Sequence, residues 1–421
     1  MGVPQKRYHL DTIARFALMH ARSYPRMARY HDWLPFNDIY SSAANLFRQN
    51  ALRKVISSRF SFLFVDEYQD CTSTQHDMIL SLSESLSCII LGDPLQGIFG
   101  FDIPLVDWPT QVDPHFEQLA PLITPYRWAK TNPALGEWLI GIRGSIEAGE
   151  QIDLLNAPVN HIQTTDLAAD QLRLCYHSIN LQGSVVSLLN WPNQAQDICR
   201  KLKGNFLCAE TMEMDDLLQA AIVIDQADGS DLALEVIKFA SCCFSGLPEY
   251  VKHIHDKLRN HDADFSHMRK HPAFIESVRQ IVHGEKIKAC ITFLRLCKSA
   301  SGVYLFRGEL YSGMMKVLEE KLLTPNQDLK IIAKEWIEKR RFWSKNTRRL
   351  VVSRPLLVKG LEYDHCFVLD TKLKKHELYV SLTRGAKTLT VLNDSNIIRI
   401  APPTTRISRP SMQGTLWDYI P

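Results

Sequence analysis

The stretch FLFVDEYQD, residues 62–70, decides how the chain reads. Four β-favouring apolar residues, Phe62 to Val65, predict a short buried strand from the centre of a parallel sheet. The strand ends abruptly in the acidic pair Asp66-Glu67, and open α/β sheets bind ligands at the carboxyl ends of their strands. One carboxylate there can hold Mg²⁺, directly or through water, while its neighbour polarises an attacking water. The same tetrad also suits a plain acidic turn closing a strand, so the flanking sequence has to decide.

Downstream, a helical stretch over Gln75–Leu86 leads to a second strand, Cys88–Leu91, giving the strand–helix–strand alternation of a parallel sheet. That strand runs into a second unusual turn in CIILGDPLQGIFGF, residues 88–101. Gly92 and Gly97 permit tight turns, and Asp93 and Gln96 bring polar groups to the same sheet edge as Asp66. Gln96 can reach a terminal phosphate. Phe99 and Phe101 lie two apart, so in an extended segment their rings share a face and suit stacking on unpaired bases; two core phenylalanines fit the same spacing.

Upstream, residues 8–60 read as helices with a polar, aromatic-rich interruption around Tyr24–Phe36. Residues 122–146 begin like a strand and continue as a helix from about Asn132, and Gly183–Leu189 predicts a strand before a helix at Gln194–Leu202. From about Asp215 to Ser344 the apolar residues fall at helical spacing, as in Phe274, Val278 and Ile281. Strand alternation returns at Leu350–Val352, Cys366–Leu369 and Thr388–Leu392, before a tail from Ala401. One α/β domain interrupted by a helical insertion is the simplest arrangement.

The chain has 421 residues, 45% hydrophobic and 23% charged, which suits two or three soluble domains. It has no apolar run long enough to span a bilayer, and its start, MGVPQKRYHLDTIARF, lacks the features of a signal peptide; a cytoplasmic protein without a membrane partner is the expectation. The net charge of +3 makes any nucleic-acid binding a matter of local patches. Ten cysteines contain no C-x-x-C pair and read as reduced core thiols.

At this point the motifs form a series. FLFVDEYQD and LGDPLQGIFGF resemble motifs II and III of the UvrD/Rep/PcrA family of superfamily 1 DNA helicases. ITPYRWAKTNPALGEWL (123–139) is similar to motif IV, LLVKGLEYDHCFVLD (356–370) to motif V, and HELYVSLTRGAKTLTVL (376–392) to motif VI. HLDTIARFA (9–17) resembles motif Ib. The resemblance implies an α/β fold of two RecA-like, P-loop NTPase-type parallel-sheet domains. The first, over residues 1–120, is expected to be truncated at its amino terminus; the second covers 121–214 and 345–400, with a helical insertion at 215–344 and a tail at 401–421.

The family's roles then fall on residues of this chain. Asp66 is expected to bind Mg²⁺, Glu67 to act as general base, and Gln96 to contact the γ-phosphate. Arg127 and Arg384 are expected to neutralise charge on the transferred phosphoryl group, Tyr126 to stack on adenine, and Glu362 to hold the ribose beside Gly360. Thr12, Phe99, Phe101 and Lys359 are the implied DNA contacts. ATP and Mg²⁺ are the implied cofactors, and single-stranded or partly duplex DNA the implied partner. Departures include Pro125 before the Tyr-Arg pair, Gly97, and Ser353-Arg354-Pro355, which lacks a histidine common upstream of K-G-L-E.

The sequence holds no G-x-x-x-x-G-K-[ST], since none of its 19 glycines precedes a lysine. Two expectations follow. Either an amino-terminal segment with the phosphate loop has been lost from an active ATP-dependent 3′–5′ helicase, or the chain is a helicase-like subunit that binds DNA or a partner without hydrolysis. The first agrees better with the retained set Asp66, Glu67, Gln96, Arg127 and Arg384. The small insertions suggest compact helicases that accompany a nuclease subunit in bacterial antiphage systems such as Gabija; a DNA-repair role is the other setting. Two patches remain: the basic, aromatic stretch at 330–349, which suits a phosphate backbone or a solvated helix face, and the histidines from His253 to His283, which suit surface helices better than a metal site.

Overall fold

The structure, a computed structural model, describes residues 8–22, 36–98, 104–209, 214–260, 262–341 and 349–400. The chain divides into two units, Met1–Thr124 and Pro125–Pro421. In the first, α1 (Ile13–Arg22), α2 (Phe36–Phe47) and α3 (Asn50–Arg59) precede β1 (Phe62–Val65), α4 (Ser73–Ser83) and β2 (Ser87–Ile90). α4 starts at a capping box in which Thr72 and Gln75 satisfy each other's main-chain amides, which fixes the chain's reversal after the acidic turn.

β1 pairs with β2 in parallel, from Phe62↔Ser87 to Val65↔Ile90. Leu63 and Val65 pack inward among Tyr68, Ile79, Val106 and Val112. The expectation of a strand buried at a sheet centre is corrected here: among the described residues the sheet has two strands, and Phe62 and Phe64 are 61% and 64% exposed. Strand side chains alternate between faces, and the described helices cover one face only.

The second unit runs through α5 (Pro133–Gly141), α6 (Arg143–Ala148), β3 (Ile152–Asp153), β4 (Asn160–Gln163), α7 (Leu167–Ser178), β5 (Val185–Leu188), α8 (Pro192–Lys201) and β6 (Leu207–Cys208). A helical block follows: α9 (Asp215–Gln226), α10 (Gly229–Cys243), β7 (Phe244–Ser245), α11 (Pro248–Arg259), α12 (Pro272–His283), α13 (Lys286–Ser299), β8 (Tyr304–Leu305), α14 (Gly308–Leu323) and α15 (Leu329–Arg341). The unit then closes with β9 (Leu350–Ser353), α16 (Pro355–Val358), β10 (Tyr363–Val368), α17 (Lys375–Leu382), β11 (Gly385–Asn393) and β12 (Ile397–Ile398).

Six strands form a parallel sheet in the order β4-β11-β10-β5-β9-β6. β5 and β9 are buried along their whole length, as a parallel strand covered on both faces should be. β5 leaves the sheet toward β6 while its neighbour β10 leaves toward β11, so the chain diverges at the carboxyl ends of these two central strands. The helical block enters after β6 and returns at β9, and these strands are themselves paired. Its core, which includes Leu217, Val236, Phe293 and Leu318, is built from its own residues. Phe306 is the block residue that lies in the sheet's core, beside Phe206, Val352 and Leu392.

The strand-like start expected at residue 122 is not a strand: residues 126–131 form turns before α5. Leu122 and Ile123, which gave the strand-like start, are exposed, and Trp128 is the residue there that is buried. The strand at Asn160–Gln163 is polar at three of its four positions and that at Leu207–Cys208 has two residues, so neither gives an apolar pattern.

Candidate active site

In the first unit, the turn after β1 is held by main-chain bonds from Leu91 to Val65 and from Tyr68 to Leu91. Asp66 and Glu67 project from the carboxyl end of β1, both exposed. Glu67 adopts φ 54°, the left-handed region, and its amide donates to Asp66 Oδ1 at 2.8 Å. A non-glycine residue there is strained unless its surroundings hold it. Gln69, buried below the pair, does so: its carboxamide nitrogen donates to Glu67 Oε2, and its oxygen accepts the Asp93 amide at 2.9 Å. Asp93 accepts Leu95's amide at 3.1 Å on one oxygen and the Gln96 carboxamide at 3.0 Å on the other.

Glu67, Gln69, Asp93 and Gln96 therefore form one hydrogen-bonded chain across the ends of β1 and β2. Gly92 makes room for it, because a Cβ there would lie 2.8 Å from Gln69 Oε1 and 2.7 Å from the Trp108 ring. Beneath, the buried Tyr68 hydroxyl meets His76 Nδ1 at 2.7 Å. Burial raises the tyrosine's pKa, and burial, with His115 nearby, lowers that of His76, so the pair is neutral and structural.

In the second unit a separate set gathers at the amino ends of β10 and β11. Arg127 Nη1 donates to the Thr383 main-chain oxygen at 2.6 Å, and its Nε lies 3.2 Å from Glu362 Oε2. Trp128 donates to Gly385 O at 2.7 Å, Thr131 to Ala386 O at 2.6 Å, and Asn132 to Lys387 O at 3.0 Å. These side chains fasten the 126–132 turns along the start of β11. Tyr126 beside them is 82% exposed. Gly360, at φ 73°, turns the chain from α16 into β10 and so presents Glu362 to Arg127; Lys359 before it is buried.

Arg384 is 1% exposed. Its guanidinium donates to Val380 O at 2.9 Å, Leu361 O at 3.0 Å and Thr383 Oγ1 at 2.9 Å. Arg127 and Arg384 thus hold the same two segments, 361–362 and 383. Thr12 is the N-cap of α1, its hydroxyl accepting the Arg15 amide at 3.1 Å. Phe99 and Phe101 lie outside the described residues. Gln69, Trp128 and Thr131 do not stand out in the sequence; an amide two residues after Glu67 is the signal that marks the first.

An exposed carboxylate at a strand end, with one oxygen accepting its neighbour's amide, fits Mg²⁺, which takes one or two carboxylates and completes its shell with water and phosphate. Among the described residues no three His, Cys, Asp or Glu side chains converge as a metal-ligand set. At the same amino end of β10, Lys387 and the Ser184 amide hold the Asp364 carboxyl down to about 2, with Lys387 Nζ 2.8 Å away.

Residues 5–107 match the family model described as the UvrD/REP helicase N-terminal domain. The chain is also distantly similar to bacterial proteins named as a subunit of an ATP-dependent helicase/nuclease. That of Leuconostoc mesenteroides is 29% identical over 100 residues, 24% of this chain and 8% of the relative. That of Lactococcus lactis is 26% identical over 92 residues, 22% and 8%. In Streptococcus agalactiae the match is 24% over 159 residues, 38% of this chain and 12% of the relative. The chain therefore spans about a tenth of the length of these relatives. No described helix is long and apolar enough to cross a membrane.

Proposed function

We propose that this chain is the motor portion of a UvrD-like, ATP- and Mg²⁺-dependent DNA helicase or translocase of 3′ to 5′ polarity. Its parts are two RecA-like domains, 1–120 and 121–214 with 345–400, the second interrupted by the helical block. The observation that carries the reading is the hydrogen-bonded chain from Glu67 through Gln69 and Asp93 to Gln96. It ties a carboxylate that can orient an attacking water to an amide that can sense a terminal phosphate, so hydrolysis and phosphate occupancy act on one rigid unit.

Asp66 is the residue that holds Mg²⁺, which when bound screens the charge of the phosphate oxygens. Arg127 and Arg384 supply the positive charge, Tyr126 a face for the base, and Glu362 with Gly360 the ribose contact. Thr12, Lys359, Phe99 and Phe101 contact the DNA. A nuclease partner agrees with the name the relatives bear, and a bacterial repair or antiphage system is the setting proposed for it.

A second reading, a helicase-like DNA- or partner-binding subunit without hydrolysis, is favoured by Arg384, whose guanidinium is engaged with oxygens of its own unit. Two measurements test these readings on the 421-residue chain. Binding of a single-stranded oligonucleotide should weaken steeply between about 50 and about 200 mM salt; no binding at the low end would end the DNA assignment. ATP turnover with DNA should stay at background, because the sequence has no G-x-x-x-x-G-K-[ST]. Turnover that Glu67→Gln abolishes would instead make the chain a self-sufficient hydrolase and exclude the second reading.

A further inference from the structure

Trp191 stands at the carboxyl end of β5, the central strand from which the sheet's connections diverge, and it is 60% exposed. Such divergence points are where open parallel sheets take ligands. The pairing continues past the strands themselves: Leu189 donates to Ser353 O at 3.0 Å, and Leu369 to Leu188 O at 2.9 Å. Asn190 then donates to Lys372 O at 2.8 Å. Arg354, Trp191 and Lys372 consequently follow the ends of three adjacent strands, β9, β5 and β10, whose neighbours run about 4.8 Å apart.

The chemistry of this edge is an indole flanked by cations. Lys372 and Lys374 are exposed and Arg354 is half-buried. Of the carboxylates at the same edge, Asp370 is buried and accepts the Lys372 amide at 2.9 Å, and Glu377 accepts the Lys374 amide at 3.4 Å. Trp191 is the N-cap residue of α8, whose apolar Ala195, Ile198 and Cys199 are buried, and the indole makes no cap bond, so its exposure serves neither packing nor capping. Arg127, Glu362 and Tyr126 lie at the other end of the strands, which leaves this edge for a second ligand.

We propose that Trp191 is a stacking platform for one base of a single-stranded nucleic acid, with Lys372 and Arg354 taking the adjoining phosphates. An aromatic face with cations on either side accepts any base and the charge that follows it. The proposal rests on the DNA reading above and adds a base-contacting residue to it.

The test compares wild type, Trp191→Ala and Trp191→Phe on an oligothymidylate and on an abasic oligomer of equal length, by fluorescence anisotropy. Trp191→Ala should weaken oligothymidylate binding on the order of tenfold, while Trp191→Phe keeps most of it. The abasic oligomer should not distinguish the three. Lys372→Ala should lower the slope of log affinity against log salt by about one. If wild type binds and Trp191→Ala binds equally well with an unchanged thermal midpoint, this proposal falls and the DNA reading stands. If wild type binds neither oligomer, both fall. Loss of self-association in Trp191→Ala, with oligomer affinity intact, would reassign the face to protein and overturn the proposal.

Discussion

The indole of Trp128 donates to the main-chain oxygen of Gly385 at 2.7 Å, joining residues 257 positions apart in sequence. Gly385 opens β11 and follows Arg384, so this bond sets where the arginine's backbone lies relative to Arg127. Trp128→Phe keeps the ring's packing but leaves a buried carbonyl without its donor, a loss of about 1–3 kcal/mol. Urea denaturation followed on the second unit should show a lower midpoint with an unchanged slope. An unchanged midpoint would mean that the bond contributes nothing net.

The Gln69 carboxamide should govern the Asp93 amide. Gln69→Leu removes the acceptor at 2.9 Å, so hydrogen exchange at Asp93 should quicken while β1 and β2 keep their protection. Gly92→Ala drives a methyl group to 2.7 Å from the Trp108 ring and should cost about 1–3 kcal/mol. A Gly92→Ala protein as stable as wild type would show that Trp108 yields freely.

Acid should act on both units through histidines, since burial lowers the pKa of His255 in the second unit as well. His20 and His76 are held below their usual 6.5, His20 by burial and Arg59, His76 by burial and His115. A histidine of lowered pKa takes its proton more readily when unfolded, so stability falls as pH drops below about 6.5. His20→Phe should flatten that limb of a midpoint-against-pH curve.

Asp364 has the opposite charge type and a lower window. Its carboxyl is held down to about 2 by Lys387 and the Ser184 amide, against an ordinary 3.8. The stability from this ion pair is complete above the ordinary value and disappears as pH falls toward about 2. Asp364→Asn should lower stability at neutral pH and remove that acid dependence; a parallel curve would place the titrating group elsewhere.

The two faces of β1 should respond differently to substitution. Val65→Ala, in the core, should cost on the order of 2 kcal/mol. Phe64→Thr, on the exposed face, should change stability by less than about 0.5 kcal/mol and reduce binding of an apolar dye. A large loss from Phe64→Thr would reveal a covering group on that face.

The sequence carried the βαβ order, the acidic turn and the position of Gln96, because these depend on local periodicity and on a short, dense motif. It carried little of what holds them. Phe62–Val65 is apolar at every position, which reads as burial on both faces, yet Phe62 and Phe64 are exposed. Gln69 is a polar residue inside the motif, and its two bonds depend on the approach of a second strand 24 residues away. The bonds from Arg127, Trp128, Thr131 and Asn132 to the 383–387 backbone cross about 255 residues and leave no periodic trace. Trp191 reads as one more tryptophan until the sheet order puts it beside Lys372 and Arg354.

Phe306 belongs to the helical block by sequence and to the sheet by burial. Its amide donates to Cys243 O within the block, and its oxygen accepts the Cys208 amide at the sheet edge. The block otherwise fills its own interior. It is thus a module seated on the sheet around Phe306, with Tyr304 against Gly204 and Gly308 against Leu207, in a place where parallel strands need only a crossover of about a dozen residues. Such a joint lets the module diverge, or be exchanged for another, while the Arg127–Glu362–Arg384 constellation keeps its dimensions.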